Sequence, residues 1–279
     1  MLALVEQNGY QFSYSNIGAV ATTPGTSITP GVSNAEGSWT LIAAGSNLTT
    51  DIFAVTLWVT NGASTATARL HALDIGTDPT GGSSYSAVIN NVLCGLSDPA
   101  IAGGRWYHFP YYINASTAVA VRVMGSQPTA GTVRATAWFW GSPANPESSR
   151  SGQYSETLGA TASAIGASFT PANSAGSGTW MSLGAPTRPL WYAQLGVQIN
   201  NGTITSLMYH IDVAYGDSSN KQIIIDRFPI SIAGTAETMT TPLVPCYAHI
   251  PTTASLWVRG TCSGTAVTGW NAAVVGIGG

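Results

Sequence analysis

The chain has 279 residues, of which 44% are hydrophobic and only 8% are charged, against about 25% charged residues in an average globular protein. Nine Lys and Arg residues stand against twelve Asp and Glu residues, for a net charge of −3, so the chain lacks the basic stripe that direct nucleic-acid binding requires. A surface so poor in charge resists association poorly, which indicates that much of it contacts other molecules.

The N-terminal segment does not have the pattern of an export signal. The apolar run of residues 1–5 ends at Glu6 and is too short for the hydrophobic region of a signal peptide. No later stretch approaches the roughly 20 apolar residues that span a bilayer. We therefore expect synthesis in the cytoplasm and no membrane partner.

Thr, Val, Ser and aromatic residues dominate the chain, with Gly or Pro at short intervals. No long window keeps an apolar stripe at helical spacing. Short strands separated by frequent turns are typical of sandwiches and barrels. We predict an all-β fold made of antiparallel, jelly-roll-like β-sandwiches.

Alternation predicts which way the strand at 53–59 faces. Its odd positions, and those of a matching segment in the second half, are all apolar: Phe53, Val55, Leu57 and Val59, and Ala193, Leu195, Val197 and Ile199. This side should pack on the core. Trp58 should then point away from its own core.

An aromatic run follows at 105–112. It reads Arg105-Trp106-Tyr107-His108-Phe109-Pro110-Tyr111-Tyr112, and the second half has no comparable run at 240–247. Three interpretations stay open: a strand that enters the core through alternate residues, a protein interface, or a surface that stacks on sugar rings. Arg105, Trp106, Tyr107 and Tyr111 are candidate partner-binding residues.

Two strands near the ends of the halves supply the remaining candidates. Val121 and its alternate neighbours should face inward, so Arg122 should face outward, as should Trp257, with which it aligns. An outward Trp costs solubility unless something covers it. Trp138 and Trp140 flank Phe139, and a strand apolar on both sides suits an interdomain or intersubunit contact as well as core packing.

The second half repeats the first. Trp39 matches Trp180, and the stretch 110–141 aligns without a gap on 245–276. Because the period is far longer than that of a solenoid repeat, we predict two whole domains related by internal duplication. They cover residues 1–141 and 150–279, joined by a proline-containing linker at 142–149.

Cysteines, histidines and acids give little sign of redox or metal chemistry. Three cysteines, Cys94, Cys246 and Cys262, are odd in number and should be free thiols. The four histidines match no zinc spacing, and the acids near Gly76 and Gly216 are too few for a convincing calcium site. We expect neither a metal nor a cofactor.

Enzyme signatures are also missing from the sequence. There is no Gly-x-Ser-x-Gly elbow, no phosphate-binding loop and no His-Glu-x-x-His motif. The two carboxylates of a glycosidase are close in space but have no fixed spacing in sequence, so the sequence does not exclude such a pair. The chain has only twelve Asp and Glu residues from which a pair could come. We expect a non-catalytic protein.

In general character the chain resembles accessory virion proteins of tailed bacteriophages, such as capsid decoration proteins and tail or fibre components. The resemblance rests on a Gly-, Ala-, Ser- and Thr-rich β-sandwich with little charge and a duplicated domain. It implies a virion protein that binds other virion proteins. We expect a homo-oligomer, most simply a trimer with six similar domains. The alternative is a carbohydrate- or receptor-binding module that recognises a host-surface glycan.

Overall fold

The computed structural model of this chain describes its two halves in segments. They are residues 16–17, 25–31, 34–61, 70–94, 105–126, 131–141, 151–172, 178–200, 207–232, 236–240, 244–262 and 269–279. The expected linker at 142–149 lies outside these residues. Within these segments the side chains at 16–17, 61, 199–200, 207, 231–232, 236–240 and 244–248 also lie outside the description.

The first half of the described chain forms nine strands and one short 3-10 turn, Gly45–Asn47. The strands are β1 (Asn16–Ile17), β2 (Thr26–Ile28), β3 (Thr40–Ala43), β4 (Ile52–Asn61), β5 (His71–Asp78), β6 (Ser86–Cys94), β7 (Arg105–Phe109), β8 (Ala118–Gly125) and β9 (Val133–Gly141). None of the described residues forms a helix with the length and apolarity needed to cross a membrane.

The second half adds ten strands. They are β10 (Tyr154–Leu158), β11 (Ala167–Phe169), β12 (Met181–Gly184), β13 (Leu190–Asn200), β14 (Leu207–Gly216), β15 (Lys221–Ile232), β16 (Ala236–Thr240), β17 (Val244–Ile250), β18 (Ser255–Cys262) and β19 (Trp270–Gly278). The chain is therefore all-β, as predicted.

Each half is a pair of antiparallel sheets with an interleaved strand order. In the first half one sheet runs β1-β9-β4-β7, with β2 also paired to β9, and the other runs β3-β8-β5-β6. In the second half the orders are β10-β19-β13-β16, with β11 also paired to β19 and β17 to β13, and β12-β18-β14-β15. Successive strands that alternate between two sheets in this way form a jelly roll.

The two halves also share details of register. The pairing of β5 with β6 shifts between Leu73 and Ile75, and that of β14 with β15 shifts between Ile211 and Val213. Just beyond each shift the outer strand carries a non-glycine residue in the left-handed region, Asn91 with φ 51° and Arg227 with φ 46°. These repeated features support the internal duplication inferred from the sequence.

A hydrophobic core fills each sandwich, and the strand orientation predicted for 53–59 holds at three of its four positions. Val55, Leu57 and Val59 are buried in the core of the first half. Phe53 is only half-buried, because the register of β4 on β9 shifts between Ile52 and Ala54 and breaks the alternation there. Trp58 lies on the outer side, as predicted.

The halves are packed against each other. The outer side of β6 and its sheet contacts β10, β13 and β19. The contact includes the buried cluster Ala72, Leu93, Met124, Ala160, Ile165 and Ala273, to which both halves contribute. The outer face of one second-half sheet is thus covered by the first half.

Replacing Phe139 with Ala should destabilise the first half. The side chain is 1% exposed on β9, and removal of a buried Phe ring leaves a cavity that costs about 3–5 kcal/mol. Urea unfolding followed by far-UV circular dichroism measures the change. Leu41→Ala on β3, where the native side chain is 49% exposed, is the control. An unchanged midpoint for Phe139→Ala would contradict the core assignment.

Candidate functional site

The outer side of β7, β4 and β9 forms a surface rich in tryptophan. We call it the tryptophan face; its residues are Thr56, Trp58, Trp106, His108, Trp138 and Trp140. Even-numbered residues of these strands point outward because the odd-numbered ones, such as Leu57 and Phe139, fill the core. The strand register places these side chains opposite one another. Trp58 of β4 lies opposite Trp106 of β7, and Thr56 of β4 lies opposite Trp138 of β9.

Aromatic contacts organise the tryptophan face. The rings of Trp106 and Trp138 have centroids 4.9 Å apart and are tilted by 36°, a geometry favourable for aromatic pairs. Trp106 nevertheless keeps 57% of its surface exposed, while Trp58 is half-buried. The face therefore offers a broad aromatic surface with one prominent ring.

A hydrogen-bonded triad fixes the neighbouring side chains. The indole Nε1 of Trp140 donates to Thr56 Oγ1 at 2.8 Å, and the same hydroxyl is 2.9 Å from His108 Nδ1. Burial lowers the pKa of His108, so the ring is neutral at pH 7 and Nδ1 can accept the Thr56 proton. The hydroxyl thus holds both rings in place on the sheet.

The aromatic run of 105–112 divides between surface and interior. Arg105 is half-buried at the start of β7. Tyr107, by contrast, is 1% exposed and donates its hydroxyl to Leu93 O at 2.9 Å, so the expectation that it binds a partner is wrong. Alternation turns it into the core.

Tyr111 is also engaged within the chain. It is buried, and its hydroxyl donates to Gln153 O of the second half at 3.2 Å. Residue 152 lies beside it, with Gly152 N donating to Pro110 O at 2.8 Å. Tyr111 thus joins the two halves. The sequence shows that the aromatic run occurs only in the first half, and that observation fits a contact between halves as well as a contact with a partner.

Arg122 points outward from β8 as predicted, but its guanidinium is bound inside the chain. Its Nε donates to Asp74 Oδ2 at 2.9 Å, its Nη2 pairs with Glu36, and its Cζ lies 4.4 Å from the Trp39 ring centroid. Asp74 also accepts from the backbone N of Asn91 at 2.7 Å. These intramolecular partners hold the Arg122 side chain, which is 22% exposed, and its role as a partner-binding residue stays a prediction.

The second half repeats this arrangement with different residues from those that the alignment paired. Arg259 Nε donates to Asp212 Oδ2 at 2.7 Å, and the guanidinium lies 4.4 Å from the Trp180 ring. Asp212 also accepts from the backbone N of Arg227 at 2.7 Å. The structural counterpart of Arg122 is therefore Arg259.

Trp257 lies two residues away from that counterpart, so its alignment with Arg122 is corrected. Its indole Nε1 donates to Gly216 O at 3.0 Å, and Lys221 Nζ lies 4.4 Å from its ring centroid. The ring is half-buried on β18. Among the candidate Trp residues, Trp257 lies apart from the tryptophan face, on the other half of the chain.

Sequence reasoning missed the repeated Asp-Arg-Trp arrangement, although its parts were visible. The sequence matches Trp39 with Trp180, and it suggested only a weak calcium site for the acids near Gly76 and Gly216. Each Asp lies directly opposite its Arg in the strand register. A search for matched Asp, Arg and Trp in both halves would have found the set.

The described residues contain no cluster of three or more His, Cys, Asp or Glu side chains with metal-binding geometry. The acid Asp78 is instead bound by its own loop, with Oδ1 accepting from Thr80 N at 2.9 Å and Oδ2 from Ser84 N at 2.8 Å. These bonds lower its pKa. Cys94 and Cys262 are buried and not in a disulfide.

Comparison with known proteins yields distant structural likenesses. No family model matches the chain, and no curated protein matches it either. Among solved structures, the chain is similar to PNGase F, a glycosylasparaginase from Flavobacterium meningosepticum, with TM-score 0.40, 12% identity, and coverage of 95% of this chain and 96% of that one.

Two further likenesses are weaker. The CBM22-1-CBM22-2 tandem domain from Paenibacillus barcinonensis Xyn10C has TM-score 0.28 and 10% identity, covering 97% of this chain and 91% of its own. A chain of broad bean stain virus has TM-score 0.32 and 8% identity, covering 93% and 92%. These TM-scores are too low for any of the three proteins to decide the function of this chain.

Replacing Arg122 with Met should make stability depend on pH through Glu36. Burial and Asp74 raise the pKa of Glu36, whereas Arg122 lowers it, so removal of Arg122 should raise it further. A carboxyl with a raised pKa in the folded state binds more protons there than in the unfolded state, so the free energy of unfolding should fall as pH rises above about 4.5.

Urea unfolding of Arg122→Met between pH 4.5 and 7 measures this slope. The double variant Arg122→Met with Glu36→Gln is the control and should show a smaller slope, because Glu36 no longer titrates. Equal slopes in the two variants would remove Glu36 as the cause.

Proposed function

We propose that this chain is a non-catalytic structural protein of a virus particle. It decorates or stabilises a capsid or tail, and it binds other virion proteins through the tryptophan face. The observation that carries the proposal is the exposure of Trp106 beside Trp138 on a chain with 8% charged residues. An exposed aromatic patch on a surface with little charge marks an interaction site.

The residue types on the tryptophan face suit a protein interface. Trp and Arg are the side chains over-represented at positions that dominate binding energy, and Arg134, opposite Thr60, lies on the same side of the sheet as the tryptophans. Thr56 holds the rings of Trp140 and His108 in fixed positions, which reduces the entropy lost when a partner binds. A preorganised aromatic surface of this kind is expected in a protein that is a subunit of an assembly.

The second candidate is a carbohydrate- or receptor-binding module on a phage tail or fibre. It is favoured by one observation, the 57% exposure of Trp106 on the outer side of β7, because an aromatic ring can stack on a sugar. It differs from the first candidate in its partner: a host-surface glycan instead of a protein of the same particle.

Replacing Trp106 with Ser, or Trp58 with Ser, should weaken binding to the particle by at least about tenfold, since truncation of a central Trp costs more than about 1–2 kcal/mol at most interfaces. Co-sedimentation with purified particles that lack the protein measures the affinity. Leu41→Ser on β3, where the native side chain is 49% exposed, is the matched control and should bind as the wild type does.

Thermal unfolding of the same variants separates lost binding from lost folding. The structural proposal is contradicted if Trp106→Ser, folded as the wild type, binds particles with unchanged affinity. A glycan array with the wild type and Trp106→Ser tests the second candidate. Binding of a glycan by the wild type that Trp106→Ser loses would replace the first candidate with the second.

A further inference from the structure

One contact inside the chain shows how a face equivalent to the tryptophan face is covered. The outer surface of the first half at Ala72, Leu93 and Met124 packs on Ala160, Ile165 and Ala273 of the second half. We call the first three residues the donor surface of the first half. The face of β13 and β19 that receives them is the acceptor face of the second half.

Hydrogen bonds and a glycine on the acceptor face allow it to pack closely against the donor surface of the first half. Gln198 Nε2, on the acceptor face, donates to His71 O at 2.8 Å and to Cys94 O at 3.0 Å. The hydroxyls of Ser155 and Thr157 donate to carbonyls of β6. Gly196 leaves room for the donor surface, because a Cβ there would lie 3.0 Å from Leu93 Cβ.

Strand register identifies the counterpart of this acceptor face in the first half. Gly196 lies opposite Ala273, and Gln198 opposite Asn271. In the first half Thr56 lies opposite Trp138, and Trp58 opposite Thr136. Since β13 and β19 occupy the places of β4 and β9 in the same sheet order, the tryptophan face is the acceptor face of the first half.

Register also identifies the counterpart of the donor surface. In the first half, Ala72 lies between Leu93 of β6 and Met124 of β8. In the second half, His210 lies between Pro229 of β15 and Thr261 of β18. This row is the donor surface of the second half.

The donor surface of the second half is open to solvent. His210 and Pro229 are exposed and Thr261 is half-buried, whereas Ala72, Leu93 and Met124 are each 2% exposed beneath the second half. Met208 and Ile223, on the same two strands, are two of the large hydrophobic residues that the described chain exposes. The chain thus uses one donor surface, presents the other to solvent, and exposes Trp106 on the remaining acceptor face.

We propose that the donor surface of the second half packs on the tryptophan face of a second copy of this chain. The contact repeats between copies the one that joins the halves within a copy. This inference rests on the proposed function, because it names the partner of the tryptophan face. Such a contact joins two different surfaces, so its repetition closes into a ring or grows as a filament, and a ring of three copies would contain six halves.

Size and charge on the two surfaces are compatible with this contact. Within the chain, the large residue Leu93 is on the donor side and faces Gly196. Between copies the counterpart of Leu93 is the smaller Pro229, and the acceptor row offers Thr56, the counterpart of Gly196, beside the larger Trp138. Arg227, with 78% of its side chain exposed beside Pro229, can lie over an indole, as Arg122 and Arg259 do within the chain.

Complementary variants test the head-to-tail geometry. The acceptor variant is Trp58→Ser with Trp106→Ser, the donor variant is Pro229→Glu, and Leu41→Ser is the control. Sedimentation velocity of the full chain should show concentration-dependent oligomers for the wild type and the control. Each of the other two should need at least about tenfold more protein to associate.

Mixing the two defective variants gives the decisive result. An equimolar mixture should form dimers and nothing larger, because the intact donor surface of one variant meets the intact tryptophan face of the other and no further contact is possible. A donor variant that assembles as the wild type does would overturn the inference in favour of two tryptophan faces meeting each other. A mixture that stays monomeric would also overturn it.

A photo-reactive residue at position 106 identifies the occupant directly. Benzoylphenylalanine in place of Trp106, in an equal mixture of ¹⁴N- and ¹⁵N-labelled chains, should give cross-links with mixed labels to peptides from 207–232 or 255–262. Cross-links to 105–141, or cross-links within one label to residues 1–15, would overturn the inference.

The outcomes also separate this inference from the proposed function. If the wild type stays monomeric at all concentrations yet binds particles through Trp106, this inference fails and the proposed function stands. If the wild type neither associates nor binds particles, both fail.

Discussion

The structure depends on the packing of the first half on the outer face of a second-half sheet. A sheet in a sandwich has two sides, and only one can face its own core. The sheet that contains β13 and β19 buries Leu195 and Val197 on the inside, and on the outside it accepts Leu93 and its neighbours. Without the first half, this outer side would expose Ala273 and the amide of Gln198, so the two halves form one body.

The equivalent sheet of the first half, which contains β4 and β9, carries larger side chains on its outer side. Where the second half has Gly196, Gln198 and Ala273, the first half has Thr56, Trp58 and Trp138. Indole rings can cover a sheet and still present a polar N–H to a neighbour, which small apolar residues cannot do. The two halves therefore carry one close-fitting inner contact and one broad aromatic surface, a combination that supports the proposal of a subunit in an assembly.

Residue alternation predicted much of this arrangement. It placed Val55, Leu57 and Val59 inside and Trp58 outside, because side chains along a regular strand alternate between faces. It was wrong at Phe53, where a shift in register interrupts the strand. The alternative that half of the aromatic run enters the core correctly described Tyr107, but no pattern could show that Tyr111 would contact the other half.

Alignment of the halves by identical residues was less reliable than alternation. It matched β4 with β13 in the observed register, yet it displaced the pairing of β8 with β18 by two residues, so Trp257 took the place of Arg259. A displacement of two leaves every side chain on the same face, and hydrophobic pattern cannot detect it. The ion pairs of Asp74 and Asp212 fix the correct register, since each needs an Arg directly opposite.

Pro229 limits unspecific pairing along the free edge of β15. A twelve-residue edge strand is a template on which stray chains can add themselves through main-chain amides, the first step towards fibrous precipitates. Pro229 lacks that amide hydrogen and interrupts the template. An unfolded or unrelated polypeptide that adds along β15 therefore finds one main-chain donor missing, and its pairing is weaker at that point.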